Sequence, residues 1–289
     1  MKLPEKIDMH MHSNISDGTD APEEILPLVK EKGIGMFSVT DHDAFKGAHA
    51  IRKIRTPDDP VFVPGVEFSC RDELGKYHIL GYGYDPDTDP IRILVETGHS
   101  YRMKKVLGRI QFLKEQFGMS FPEQEIQELF HLSNPGKPHI ALMMVRHGFA
   151  ETKEKAIHDF LNKAHIKSGY IRPEEAIQGI LGSGGVPVLA HPSYGSGDEI
   201  IVGGEMEERV RRLTGFGLQG LEAYYSGFTG LLIGENLALA EKFGLLVTAG
   251  SDYHGQNKLV HIGETNLGSV SEAADGLKRF VELMMDRCA

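Results

Sequence analysis

Cysteine is scarce. Only Cys70 and Cys288 occur in 289 residues, far apart and in no metal-type spacing. A disulfide framework is excluded, and a reducing compartment fits. Basic residues do not predominate either: 31 Lys and Arg stand against 41 Asp and Glu, a formal net charge of −10. A track for duplex nucleic acid needs clustered Lys and Arg, so none is expected. A small phosphorylated ligand stays open, because bound metals can supply positive charge locally. No apolar run approaches the length of about 20 residues that a membrane-spanning helix needs. The first residues, Met1-Lys2-Leu3-Pro4-Glu5, lack an apolar secretory region. A cytoplasmic, soluble protein is the expectation. Nothing resembles a nucleophilic Ser or Cys motif, a P-loop or a dinucleotide fingerprint.

What is present is alternation. Short apolar runs at Ile7–His12, Met36–Thr40, Val61–Val66, Tyr77–Tyr82, Val186–Ala190, Leu218–Ala223 and Leu245–Ala249 read as strands. Helical patterns lie between several of them. One is Ala21–Lys32, where Pro27 predicts a late start; another is Asn236–Phe243, closed by Gly244. This rhythm predicts an α/β fold with a parallel sheet or a β/α barrel. It breaks between about Asp85 and Pro173, where "RMKKVLGRIQFLKEQFG" places Val106, Leu107, Ile110, Phe112, Leu113 and Phe117 on a basic background. The expected organisation is a barrel domain over 1–85 and 171–289 with a helical insertion over 86–170. Thr56–Pro60 and Gly195–Glu205 read as loops.

The chemistry collects where the apolar strands stop. Residues two apart in a strand share a face. His10 and His12 in "IDMHMHSNISDG" therefore project together, which suits metal chelation. Asp41, His42 and Asp43 follow "SVT", Glu67 ends "VPGVE", and His78 opens "HILGYG". His191 follows "VPVLA", and Asp252 and His254 follow "LVTAGS", again two apart. In a parallel β/α barrel such strand ends share the face where active sites form. His, Asp and Glu without Cys fit Zn, Mn or Fe rather than a structural zinc site, and the number of ligands suggests more than one ion. His49, His99, His131, His147, His158, His165 and His261 have no partner in spacing and read as ordinary surface or loop residues. Lys137 and His139 precede an apolar helix, where an anion can bind.

In these motifs, "DMHMHSNISDG", "TDHD", "PGVEFS", "HILGYG", "AHPS" and "GSDYH", the sequence resembles the PHP family, named for its polymerase and histidinol phosphatase members. They occur in the family's order and span almost the whole chain outside the insertion. The resemblance implies a distorted TIM-like (β/α)7 barrel with a trinuclear metal centre, holding two or three divalent ions of Mn, Zn or Fe. It implies that His10, His12, Glu67 and Asp252 hold a first ion. Glu67, His78 and His191 would hold a second, and Asp17, His42 and His254 a third. Asp17 and the basic-Pro-His element point to the stand-alone, nucleotide-directed branch. That branch acts on nucleoside 3′,5′-bisphosphates or on 5′-phosphorylated short RNA. Lys137 stands where that branch usually has Arg, keeping the charge but not the bidentate fork.

The function so implied is a metal-dependent phosphoesterase using a metal-bridging hydroxide. Asp252 or His191 would carry a proton to the leaving group, and Lys137, His139 and Ser193 would grip phosphate. Asp8 is expected to orient a histidine through its other ring nitrogen. Histidinol phosphatase and a non-catalytic nucleotide-binding module are the alternatives. The expected partner is a small phosphorylated substrate, neither duplex nucleic acid nor membrane.

Overall fold

The computed structural model describes residues 3–195 and 199–288. The chain divides into two compact units, Met1–Val95 with Ile171–Ala289, and Glu96–Tyr170. The first unit is mixed α/β. In chain order it holds β1 (Ile7–Asp8), α1 (Pro22–Glu31), β2 (Met36–Phe37), α2 (Lys46–Ile54), β3 (Val61–Phe62), β4 (Gly65–Asp72) and β5 (Gly75–Tyr82). A long helix, α3 (Asp89–Phe117), begins there. After α4 (Glu123–His131), α5 (Lys137–Arg146) and α6 (Lys153–Asp159), the first unit resumes with α7 (Pro173–Gly182), β6 (Val186–Leu189), α8 (Gly203–Gly215), β7 (Gly220–Tyr225), α9 (Gly230–Lys242), β8 (Leu246–Gly250) and α10 (Asp275–Cys288).

The strands form two sheets. One has order β1-β2-β3 and is parallel, with Met36 opposite both Ile7 and Val61. The other has order β4-β5-β6-β7-β8. The expected parallel pairing holds for β6, β7 and β8 but not for β5, which runs antiparallel to both β4 and β6. Asp72 pairs with Gly75, and a connection of two residues can only return the chain antiparallel. Pro64 breaks the expected strand Val61–Val66 into β3 and β4, since proline donates nothing to a ladder. Beyond its short assigned length, β1 continues extended. Met9 donates to the Ala249 carbonyl at 2.9 Å and His12 to that of Tyr253 at 2.8 Å. On the other side, Asp43 N–H donates to the Glu67 carbonyl at 2.9 Å.

Helix α1 starts at Pro22, not late, with Pro27 inside it. Proline at that point forfeits the bond to the Glu23 carbonyl, and both residues are exposed, so that carbonyl is open to solvent. Helix α9 starts earlier than the pattern suggested, because Thr229 caps it by accepting from Leu232 N–H at 3.4 Å. The loop expected over Gly195–Glu205 falls partly outside the described residues, and α8 begins within it at Gly203.

The strands alternate as burial requires. Met9, Val66, Phe68, Ile79, Val188, Leu221 and Val247 belong to one apolar core, and Met11, Ile25, Val29, Phe37, Val39 and Ile51 to a second. In the second unit, Val106, Ile110 and Leu113 of α3 pack with Ile140, Met143, Met144 and Leu161. That spacing of four and three is one helical face. Leu107 and Phe117, apolar by pattern, are exposed. Ile91 and Leu94, at the start of α3, belong to the core of the first unit.

Candidate metal centre

Glu67 is the hub of the first unit. Strand β4 carries it into a buried chamber where its carboxylate meets five imidazoles. Its Oε2 lies 3.1 Å from His12 Nε2, 3.1 Å from His42 Nδ1 and 3.3 Å from His10 Nε2. Its Oε1 lies 2.9 Å from His78 Nδ1 and 3.2 Å from His191 Nε2. Asp252 Oδ1 stands 3.5 Å from His10 Nε2 and 3.4 Å from His12 Nε2. Asp17 extends the group outward, 3.3 Å from His254 Nε2, 3.6 Å from His12 Nδ1 and 3.8 Å from His42 Nε2. The structure thus brings together His10, His12, Asp17, His42, Glu67, His78, His191, Asp252 and His254.

Each arrives for a local reason. His10 and His12 share a face of the extended run after β1, with Met9 and Met11 buried on the other side. His78 sits within β5 rather than at its start. Because β5 is reversed, its first half reaches the end where β6 finishes, and Ala190 N–H donates to the His78 carbonyl at 3.0 Å. His191 and Asp252 hold positive φ, 25° and 57°, as does Asp43 at 50°. Side chains rarely adopt that backbone, and such strain collects at functional sites. Gly250 is required beside them: a Cβ there would stand 2.2 Å from Glu222 Oε1 and 2.3 Å from His10 Cβ.

The hydrogen bonds fix which ring nitrogens face inward. His10 Nδ1 pairs with Glu222 Oε1 at 2.9 Å, so this nitrogen donates and Nε2 presents its lone pair. His254 Nδ1 donates to the Asp252 carbonyl at 2.8 Å, freeing Nε2 in the same way. Ser16 donates to Asp41 at 2.8 Å, so it accepts from His12 Nδ1 at 3.4 Å. His10 Nε2 lies 3.1 Å from His12 Nε2, a contact in which at most one of the two nitrogens carries a hydrogen toward the other. His42 Nδ1, although 3.1 Å from Glu67 Oε2, is not aligned for a hydrogen bond, and His191 Nδ1 is buried without a hydrogen-bond partner among the described residues.

Charge tells the same story. Burial disfavours the Glu67 carboxylate, but His42, His78 and His10 outweigh it and hold the group well below its usual range. Asp252 is held down similarly by His10 and His12 against burial. Burial pulls the His12 imidazole down, yet Asp252 and Glu67 more than offset it and raise it to about 9. Burial takes His42 to about 4, against Glu67 and Asp17. Without a cation, the chamber must hold protons to balance its carboxylates. Three overlapping groups could each hold an ion: His12, Asp17, His42 and His254; His10, His12 and Glu67; and His42, Glu67 and His78. Imidazole nitrogen and carboxylate oxygen are the donor set of zinc, manganese and iron. The residues present therefore fit divalent metal.

Asp8 does not do what the sequence suggested. It accepts from the backbone N–H groups of Ser251 at 3.0 Å, Gly263 at 2.8 Å and His10 at 3.3 Å, and touches no ring nitrogen. Two residues before His10, it sits a full pleat repeat below the ring. Glu222 takes the orienting role, and its second oxygen accepts from His191 N–H at 2.8 Å. A lone acid inside the apolar run "GLEAYY" was the available signal. Two further groups were missed at Asp252: Tyr225 donates its hydroxyl to Oδ2 at 2.9 Å, and the Lys258 ammonium contacts the same oxygen. Ser193 is buried in the turn after His191, where its hydroxyl accepts from Asn236 at 3.0 Å. Lys137 and His139 lie in the second unit, in the first turn of α5. There Lys137 donates to Asn162 at 2.6 Å, and His139 Nδ1 accepts from Gly136 N–H at 3.2 Å.

No family model matches the chain. It is 27% identical over 270 residues to a phosphoribosyl 1,2-cyclic phosphate 1,2-diphosphodiesterase of Eggerthella lenta, covering 89% of this chain and 97% of that protein. It is 27% identical over 263 residues to a 3′,5′-nucleoside bisphosphate phosphatase of Chromobacterium violaceum, covering 86% and 87%. A solved structure from Bifidobacterium adolescentis, provisionally described as a metal-dependent phosphoesterase, superposes with a TM-score of 0.77 at 25% identity, covering 100% of this chain and 98% of that one.

Proposed function

We propose, from the premise that this chain belongs to the PHP family of metal-dependent phosphoesterases, that it hydrolyses phosphate esters of nucleotides. The substrates proposed are nucleoside 3′,5′-bisphosphates or 5′-phosphorylated short oligonucleotides. The observation that carries this reading is the Glu67 carboxylate facing five imidazoles in one buried chamber. Two or three divalent ions of Mn, Zn or Fe are the proposed occupants. His10, His12, Glu67 and Asp252 would hold one, Glu67, His78 and His191 a second, and Asp17, His42 and His254 a third. When bound, such ions supply Lewis-acid charge to phosphoryl oxygens and lower the pKa of water toward about 7.

The chain's own residues do the rest. Glu222, Ser16 and the Asp252 carbonyl orient His10, His12 and His254, so the imidazoles meet the ligand already aimed. Asp252, held anionic, is proposed to take a proton from the attacking water and pass it to the leaving oxygen, with His191 as the alternative. Tyr225 and Lys258 hold Asp252 Oδ2 on its outer side. Ser193, whose oxygen is occupied by Asn236, keeps its hydroxyl proton to donate to phosphate. Lys137 and His139 are proposed phosphate contacts, supported by their place at a helix N-terminus.

The TIM-like barrel is part of the same proposal. Its support is the pair of backbone junctions, Met9 to Ala249 and Asp43 to Glu67, that link strands of the two sheets. Among the described residues no helix is long and apolar enough to cross a membrane. A cytoplasmic location is proposed on the free state of Cys70 and Cys288.

The test is phosphate release with Mn²⁺ from adenosine 3′,5′-bisphosphate, AMP, a short 5′-phosphorylated RNA, phosphoribosyl 1,2-cyclic phosphate and histidinol phosphate. Preference for the bisphosphate or the RNA is expected. Preference for histidinol phosphate would overturn the substrate class, and no turnover with Mn²⁺, Zn²⁺ or Fe²⁺ would overturn the reaction.

A further inference from the structure

The charge of this protein is unevenly shared. The helical unit, residues 96–170, carries eleven Lys and Arg against eight Asp and Glu, a net +3 in a chain of −10. The excess is concentrated. From Gly98 to Leu113, α3 has Arg102, Lys104, Lys105 and Arg109 and no acid at all. Arg102, Lys105 and Arg109 lie three and four apart, on one face of the helix.

That face is half-buried rather than solvated. Lys105 Nζ stands 3.7 Å over the ring of Tyr170, which is itself 38% exposed. Arg109 Nε is buried and has no hydrogen-bond partner among the described residues. Lys137, from the first turn of α5, joins the same group: burial and then repulsion from Arg109 push its ammonium below the usual range. Burial lowers Lys105 and Arg109 too, and Arg102 repels both. Among the described residues no Asp or Glu pairs with Lys105, Arg109 or Lys137. Lys105, Arg109 and Lys137, desolvated with no carboxylate against them, are suited to receive an anion from outside.

We infer that Lys105, Arg109 and Lys137, with Arg102 beside them, form a phosphate-binding strip in the helical unit that holds the backbone of a single-stranded oligonucleotide. The cations are spread along two turns of α3 and onto α5, which is more than one phosphate needs. Tyr170 offers an exposed ring among them, and aromatic rings interleaved with cations are how single strands are bound without sequence preference. This inference rests on the phosphoesterase reading for its choice of ligand, and it selects the oligonucleotide over the mononucleotide as substrate.

The experiment uses the full chain and a short fluorescent, cleavage-resistant single-stranded oligonucleotide, with chelator present and fluorescence anisotropy as the readout. Wild type should bind. Lys105→Gln with Arg109→Gln should weaken binding about tenfold and flatten the log–log salt slope by about 1.4, two phosphate contacts for a single strand. Arg109→Lys, which keeps the charge, should retain most of the affinity and guards against simple misfolding. With Mn²⁺, the double variant should turn over adenosine 3′,5′-bisphosphate as wild type does and show a raised KM for 5′-phosphorylated RNA. Unchanged oligonucleotide affinity in a folded double variant overturns the strip. So does tighter binding of wild type to a phosphopeptide or to anionic vesicles than to the oligonucleotide. A protein that binds the oligonucleotide through these residues but hydrolyses nothing overturns the phosphoesterase reading and leaves the strip standing.

Discussion

His10 Nδ1 and Glu222 Oε1 lie 2.9 Å apart although 212 residues separate them, and neither side chain is exposed. The bond decides which nitrogen of His10 faces the chamber. The other Glu222 oxygen fixes the backbone of His191, so one carboxylate sets two candidate ligands.

Removing it should therefore act on metal before it acts on fold. Glu222→Gln preserves the shape and should weaken divalent-metal affinity by about 10–100-fold, the usual effect of losing a ligand's orienting partner. Glu222→Ala should be worse, since it also strands two buried donors at about 1–3 kcal/mol each. Competition with a chelating indicator measures the first effect and urea unfolding the second. Wild-type metal affinity in Glu222→Gln would refute the orienting role.

Gly250→Ala tests the close approach of β8. The added methyl meets Glu222 Oε1 at 2.2 Å and His10 Cβ at 2.3 Å. Overpacking of this kind costs about 1–3 kcal/mol. A lower urea midpoint together with weaker metal binding is expected. Gly33→Ala, at a positive φ of 66° but with open space around it, should cost stability without touching metal affinity.

His10→Ala and Asp252→Ala should each abolish phosphate release while circular dichroism stays native. His10 touches the Glu67 hub and Asp252 stands against His10 and His12, and neither residue belongs to the apolar cores. Wild-type turnover in either would remove the chamber from the reaction.

Chelation should lower thermal stability, and divalent metal should restore it. Glu67, Asp252 and Asp17 are held anionic among histidines, so a bound cation replaces protons and repulsion at once. Metal at one hundred times its Kd should add about 2.7 kcal/mol per site, read as a rise in melting temperature on titration after dialysis against chelator.

Much of the chamber was legible in the chain itself. The spacing of His10 and His12 is a two-residue period that an extended segment turns to one face; Asp252 and His254 repeat the spacing, but there the positive φ of Asp252 sets the direction of the chain. Glu67 and His191 could be found because they follow apolar runs. Glu222 could not be given a role, because its partner is set by the packing of β7 against the run after β1 rather than by neighbours. Asp8 was misread for the same reason: it has the right face but the wrong height. The reversal of β5 was hidden too, since "KYHILGYG" is equally apolar in either direction, and only pairing with β4 through a tight connection turns it around.

By itself the sequence determined which side chains can bind metal and that they end strands, because side-chain type, period and apolar length are local properties. Tertiary structure alone decided that five imidazoles from four separate segments converge on the two oxygens of Glu67. That convergence depends on strand order and register. A slip of one residue in β4 would turn Glu67 to the other face and leave the same residues without a centre.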